Sequence, residues 1–311
     1  MRRLSASLCA LLLPLAAAAQ PLITPAELAA KANDPSLRIV DIRAADGSAT
    51  AYARGHVPGA LSAPYAKWRG PKDNPGALPD TPALTALIRS LGIDAATPVV
   101  VVYEGTDATE FGAAARVYWT LKAASLKQLA ILNGGMKAWR VAGLTASTAA
   151  ATVAPSTYVV TLDSKVIATQ DEVAQAAASG SVLLDARPLS YFRGEARHAA
   201  ARTPGTLVGA KNVPHDVWFV KDSATLKPAV DVQQVAAREG IDTAQPTVSF
   251  CNTGHWAATN WFVLSEVLGQ KDVKLYPESM VGWSRAGLPM ANVPSRLEQF
   301  WLQLKEAAGA M

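Results

Sequence analysis

This chain is written twice, and the repetition constrains its fold more than any single motif. Ile39-Val40-Asp41-Ile42-Arg43 returns as Leu183-Leu184-Asp185-Ala186-Arg187, and Gly59-Ala60 with Pro64 and Trp68 returns as Gly209-Ala210 with Pro214 and Trp218. Gly92-Ile93-Asp94 before Pro98 matches Gly240-Ile241-Asp242 before Pro246. Met136, Trp139 and Ala142-Gly143-Leu144 match Met280, Trp283 and Ala286-Gly287-Leu288. The blocks keep their order at a spacing of roughly 145 residues, so one supersecondary plan must satisfy both halves.

Within each half, short β-branched runs alternate with helical patterns. Ile39–Ile42, Val99–Tyr103 and Leu129–Leu132 read as strands, and so do Val182–Asp185, Thr247–Phe250 and Val273–Tyr276. Pro25–Lys31, Thr81–Leu91 and Phe111–Lys122 read as helices, with Gln170–Ala178, Val232–Arg238 and Ala257–Leu268 in the second half. Continuous apolar strands between helices imply an α/β protein with two parallel sheets, each flanked by helices. We therefore expect domains over 20–146 and 164–311, joined by an Ala/Thr/Ser-rich linker over 147–163, and a closing amphipathic helix over Ser295–Ala308. Residues 1–19 read as an export signal: Arg2 and Arg3, an apolar run too short to span a membrane, then Ala17-Ala18-Ala19. Its removal implies a periplasmic protein with no membrane segment.

Charge and cysteine content narrow the chemistry. Without residues 1–19 the balance of 29 basic and 25 acidic residues falls by two arginines to 27 minus 25, and no basic block suggests nucleic acid. Of two cysteines, only Cys251 lies outside that segment, so no internal disulfide is possible after cleavage. Four scattered histidines beside one cysteine imply no metal site, and no cofactor motif is present. Cys251 ends an apolar run, with Asn252-Thr253-Gly254-His255-Trp256 and then an apolar helical pattern behind it. A thiol at that strand–loop–helix turn faces the crevice where open α/β sheets bind ligands. The N–H groups of Asn252 through Trp256, eased by Gly254, can curl around sulfur, and a helix start adds positive potential.

Tyr52-Ala53-Arg54-Gly55-His56-Val57-Pro58-Gly59-Ala60, with the Asp-x-Arg elements, the Asn133-Gly134-Gly135-Met136 turn and the tandem layout, resembles the rhodanese family. The resemblance implies two rhodanese-like α/β domains, an active site between them and Cys251 as the catalytic thiol. Repeat one sets Tyr103 or, with a one-residue shift, Glu104 opposite Cys251, so only the second domain would be catalytic. Arg187 resembles the family arginine that binds the donor's anionic end, and Arg202, in an insertion over Tyr191–Gly205, is a further candidate. His255 stands within the loop as a candidate donor contact, and Trp256 occupies the place where family members carry Arg or Thr. The expected substrate site is thus Asn252, Thr253, Gly254, His255 and Trp256 with Arg187 and Arg202.

The implied activity is transfer of sulfane sulfur from thiosulfate to cyanide or a thiol, a periplasmic thiol protein included, through a Cys251 persulfide. 3-Mercaptopyruvate is the rival donor, and a nonenzymatic sulfur or oxyanion carrier is the rival class. A rhodanese-fold phosphatase or arsenate reductase needs Arg at the sixth place after the cysteine, where this chain has Ala257.

Overall fold

The computed structural model describes residues 20–44, 51–295, 297, 298 and 304. The expected export segment and most of the closing helix fall outside these residues. In the first half the strands are β1 (Leu22–Ile23), β2 (Arg38–Asp41), β3 (Leu61–Ser62), β4 (Val99–Val102) and β5 (Leu129–Leu132). Its helices are α1 (Pro25–Lys31), α2 (Ala51–Arg54), α3 (Thr81–Ser90), α4 (Ala108–Ala123) and α5 (Gly135–Val141). The strands form one sheet in the order β1-β5-β4-β2-β3, every pair parallel.

The second half repeats this with β6 (Val182–Asp185), β7 (Thr206–Leu207), β8 (Lys211–Asn212), β9 (Thr247–Phe250), β10 (Val273–Leu275) and β11 (Met290–Ala291). Between them run α6 (Gln170–Ser179), α7 (Leu189–Phe192), α8 (Ala229–Arg238), α9 (Trp256–Phe262) and α10 (Ser279–Arg285). Its parallel sheet runs β10-β9-β6-β8, and an isolated parallel bridge from Ile167 to Leu275 stands where β1 stands in the first sheet. One small antiparallel pair, β11 with β7, lies apart from the parallel sheet and was not legible as a strand pattern.

Helix starts follow local chemistry. Thr24 and Glu27, then Thr169 and Glu172, form reciprocal capping boxes at α1 and α6, while Asp80 and Asp107 cap α3 and α4. The expected single helix over Ala257–Leu268 instead changes at Val263 into a π turn through Val267. There Glu266 accepts from Tyr118 Oη at 2.6 Å and Lys122 Nζ at 3.0 Å, both on α4.

The segment between the domains is no slack tether. Ser147 pairs with His56, Ser156 Oγ donates to Ile93 O at 2.7 Å, and Arg89 Nε donates to Tyr158 O at 2.6 Å. Asp163 N then reaches Ala123 O at 2.7 Å, so the connection straps the first domain before entering the second.

Helices α4 and α9 pack against each other across the seam, and one apolar core runs through both halves. The Phe111 ring centre lies 5.7 Å from Tyr103, 5.1 Å from Phe219 and 5.6 Å from Phe262, joining both repeats. Trp68 and Trp218 are fully buried, as their recurrence in both repeats implied. Truncating Phe111 opens a cavity where neither domain can collapse alone. Phe111→Ala should lower the unfolding free energy by about 3–5 kcal/mol in urea titrations, and an unchanged midpoint would place the joint core elsewhere.

Candidate active site

Strand β9 is buried and inside its sheet, so the residue after Phe250 emerges at the carboxyl edge. That residue is Cys251, 1% exposed. The five residues after it reverse direction into α9, and Gly254 takes φ +68° at the tightest point. A Cβ there would meet Arg116 Nη1 and lie 2.7 Å from Pro277 O. The turn is pinned from below by Ser279. Its Oγ accepts from Cys251 N at 3.0 Å and Gly254 N at 3.1 Å while donating to Tyr276 O at 2.8 Å. Ser279 is fully buried and sits at φ +51°, a conformation a serine holds only when its surroundings enforce it.

The loop's polar groups are satisfied on one side only. Cys251 O and Asn252 O accept from Met280 N and Val281 N, both at 3.0 Å. Thr253 O accepts from Arg69 Nη2 at 2.8 Å and Arg116 Nη1 at 3.4 Å, and Gly254 O from Arg116 Nη1 at 3.3 Å. By contrast, among the described residues the N–H groups of Asn252, Thr253, His255 and Trp256 meet no acceptor. A tight loop with paired carbonyls and open N–H groups beside a thiol is built to receive an anion.

Three residues of the first domain complete the site, and sequence reasoning did not single them out: Tyr65, Arg69 and Arg116. Arg116 is fully buried on α4, and among the described residues it has no carboxylate partner. Burial, then the neighbouring Arg69 charge, lowers its pKa to about 9, so it stays cationic at neutral pH, and a Cys251 thiolate opposes that shift. Its Nη2 also holds Gly76 O at 2.7 Å. Tyr65 Oη donates to His255 Nδ1 at 2.9 Å and accepts from Arg69 Nη1 at 3.0 Å.

His255 is therefore neutral and fully engaged, with Nε2–H donating to Thr109 O at 2.7 Å. Burial first, then Arg69, His215 and Arg116, lowers its pKa to about 3 against the pull of that bond. Gly112 makes room for the ring, since a Cβ there would lie 3.0 Å from His255 Cδ2. With both ring nitrogens engaged, His255 docks the thiol loop onto the first domain.

Arg187 is likewise tied to the protein around it. It is 2% exposed, with Nε 2.8 Å from Asp185 Oδ1, Nη2 2.5 Å from Asp185 Oδ2 and 2.8 Å from Gly205 O, and Nη1 3.3 Å from Asn252 Oδ1. The guanidinium lies beneath the loop and orients Asn252 rather than facing an open cleft. Trp256 stacks on His215 at 4.9 Å and meets Tyr191 edge-on at 5.9 Å, closing the second domain's side of the loop. Arg202 is exposed and bonds α10 through its backbone, N–H to Ser284 Oγ at 3.0 Å, with no contact to the thiol loop among the described residues.

The repeat supplies a control for each of these features. Met136 N bonds Tyr103 O as Met280 N bonds Cys251 O, which fixes Tyr103 as the counterpart of the thiol and Glu104 as that of Asn252. Arg43 repeats Arg187, paired with Asp41 and Gly55 O, but its Nη1 meets the Glu104 carboxylate at 3.0 Å. Gly135, φ +59°, stands where Ser279 stands, so this swap of Gly for Ser was the readable signal for Ser279. A cavity of about 600 Å³ opens on this thiol-less side, lined by Arg43, Glu104 and Arg140 and walled by Tyr65 and His255. Among the described residues no cluster of side chains suits a metal ion.

The profile of rhodanese-like domains matches residues 24–142 and 169–286. A Mycobacterium tuberculosis protein, SseB, is 36% identical over 283 residues, covering 85% of this chain and 94% of that one. A Synechococcus elongatus protein is 27% identical over 292 residues, covering 88% and 86%. Both are named, provisionally, as thiosulfate sulfurtransferases. Among solved structures, the 3-mercaptopyruvate enzyme SseA of Escherichia coli superposes with TM-score 0.73 at 23% identity, covering 84% of this chain and 98% of that one. An anaerobic ergothioneine biosynthesis enzyme of Chlorobium limicola gives 0.70 at 19%, covering 82% and 64%.

Two outcomes follow from the geometry. Ser279→Ala leaves two buried N–H groups without their acceptor, so it should cost about 1–3 kcal/mol per group in denaturant unfolding and slow Cys251 chemistry in the folded fraction. Because the His255 pKa falls from 6.5 to about 3, the folded state resists a proton that the unfolded state accepts between those values. Wild type should lose stability as pH drops from about 6.5 toward 3, a slope that His255→Gln should reduce, with His198 and His215 keeping part of it, in paired urea titrations.

Proposed function

This chain belongs to the rhodanese family, and from that premise we propose that it is a sulfurtransferase that moves sulfane sulfur from thiosulfate to a thiophilic acceptor through a Cys251 persulfide. One observation carries the reading: the carbonyls of Cys251, Asn252, Thr253 and Gly254 are bonded while the N–H groups of Asn252, Thr253, His255 and Trp256 remain open beside the thiol. The Cys251 thiolate attacks the outer sulfur of thiosulfate. An Sγ–S bond forms, the donor's S–S bond breaks, and sulfite leaves with the electron pair. The persulfide carries one negative charge among the open N–H groups and the field of Arg69 and Arg116. Cyanide or a thiolate then takes the outer sulfur, and the Cys251 thiolate is restored in a ping-pong cycle.

No side chain serves as general base. His255 is committed at both ring nitrogens, so the loop must stabilise the anionic sulfur itself. The depth of Cys251 suits small donors and acceptors more than a periplasmic thiol protein. 3-Mercaptopyruvate remains the rival donor, as the activity of the Escherichia coli relative suggests. Export to the periplasm is part of the proposal, with the mature chain starting near Gln20, as fractionation and N-terminal sequencing would read.

Mature protein incubated with thiosulfate should gain one sulfur atom on Cys251 by intact mass, and lose it on adding cyanide or dithiothreitol. Cys251→Ser should gain none while keeping its fold. Protein left unmodified by both thiosulfate and 3-mercaptopyruvate would overturn the sulfurtransferase reading.

A further inference from the structure

We propose that Arg69, supplied by the first domain, binds the oxyanion end of the sulfur donor and selects a doubly charged sulfonate-like donor over a singly charged carboxylate. This rests on the sulfurtransferase reading and adds the residue and the charge class to it. Arg69 follows the 3-10 turn Tyr65–Trp68 and is half-buried at the seam between the domains. Its Nη2 donates to Thr253 O at 2.8 Å, two residues from the thiol, and its Nη1 donates to Tyr65 Oη at 3.0 Å. The guanidinium carbon stands 5.3 Å from the Tyr65 ring centre, a third contact that holds the group in place.

A guanidinium carries five N–H donors in a rigid fork. These two bonds leave Nε–H and one N–H on each terminal nitrogen uncommitted, and among the described residues no carboxylate pairs with Arg69. The other arginines of the site lack that freedom. Arg187 is locked on Asp185, and Arg116 is fully enclosed, with its terminal nitrogens on four carbonyls. Arg285, across the seam, is exposed and reaches Ala200 O and Asp73 O, with no bond to the thiol loop among the described residues.

The field around Arg69 is cationic. Its charge helps to hold His255 and His198 below their ordinary pKa, second in each case to burial. It also acts on Arg116 and Tyr65, the two groups that feel a Cys251 thiolate. An oxyanion held on the free edge of the Arg69 fork would sit at the seam, by the loop that carries Cys251. Attraction to a fixed cation grows with ligand charge, so a dianion gains more here than a monoanion.

The test separates binding from chemistry. Cys251→Ser protein is titrated calorimetrically with thiosulfate, and Arg69→Gln and Arg69→Lys are added to that background. Arg69→Gln should weaken binding at least tenfold, about 1.4 kcal/mol, with Arg69→Lys between the two. In the thiol-bearing enzyme the loss should fall on KM for thiosulfate more than on kcat, and it should be smaller for 3-mercaptopyruvate. Equal thiosulfate affinity with and without Arg69 overturns the proposal, as does undetectable binding to Cys251→Ser at millimolar thiosulfate. An equal fall in kcat for both donors at constant KM also overturns it, by making Arg69 a support for the Thr253 carbonyl. If no donor sulfurates wild type, the sulfurtransferase reading fails by itself, and the calorimetry still decides whether Arg69 binds an oxyanion.

Discussion

A loop that turns its N–H groups toward one sulfur must turn its carbonyls away, and those carbonyls need partners where water is scarce. Most of what is distinctive in this protein answers that requirement. Two carbonyls are met by the first turn of α10, and two by arginines from the other domain. Gly254 and Ser279 occupy left-handed backbone to make the turn small enough. The shared core around Phe111 then holds the two domains in the register that lets Arg69 and Arg116 reach across.

The repeats are thus unequal partners in one site. The second copy brings the thiol and its loop. The first brings the cations and, through Tyr65 and Thr109, the two anchors of His255. The first copy has a tyrosine in place of the thiol and still serves the seam, because Tyr103 Oη donates to Ala224 O at 2.8 Å.

Much of this was legible in the chain. The alternation of apolar runs gave the parallel sheets, and the repeat aligned Cys251 with Tyr103 because both follow a central strand. What the sequence hid were contacts between distant residues. Arg69 meets Thr253 across 184 positions, and nothing local in Trp68-Arg69-Gly70 hints at it. Arg116 left a faint trace as a charge within an apolar helix stretch. The partner of Arg187, Asp185, stands two residues away and is readable, whereas Tyr65 and Thr109, which hold His255, lie far off in the chain. The π turn at Val263–Val267 was unreadable too, since it depends on Glu266 meeting α4.

The pairing of Glu104 with Asn252 has a consequence for how the two halves diverged. At one and the same place, beneath equivalent arginines, one copy holds a carboxylate and the other a neutral amide. In the first copy the arginine meets two carboxylates, Asp41 and Glu104; in the second it meets one, Asp185, and the amide adds no charge. A cysteine grafted at Tyr103 would therefore stand beside a resident negative charge, over a glycine with no hydroxyl to gather its loop. Supplying a sulfur there would not by itself reproduce the surroundings of Cys251.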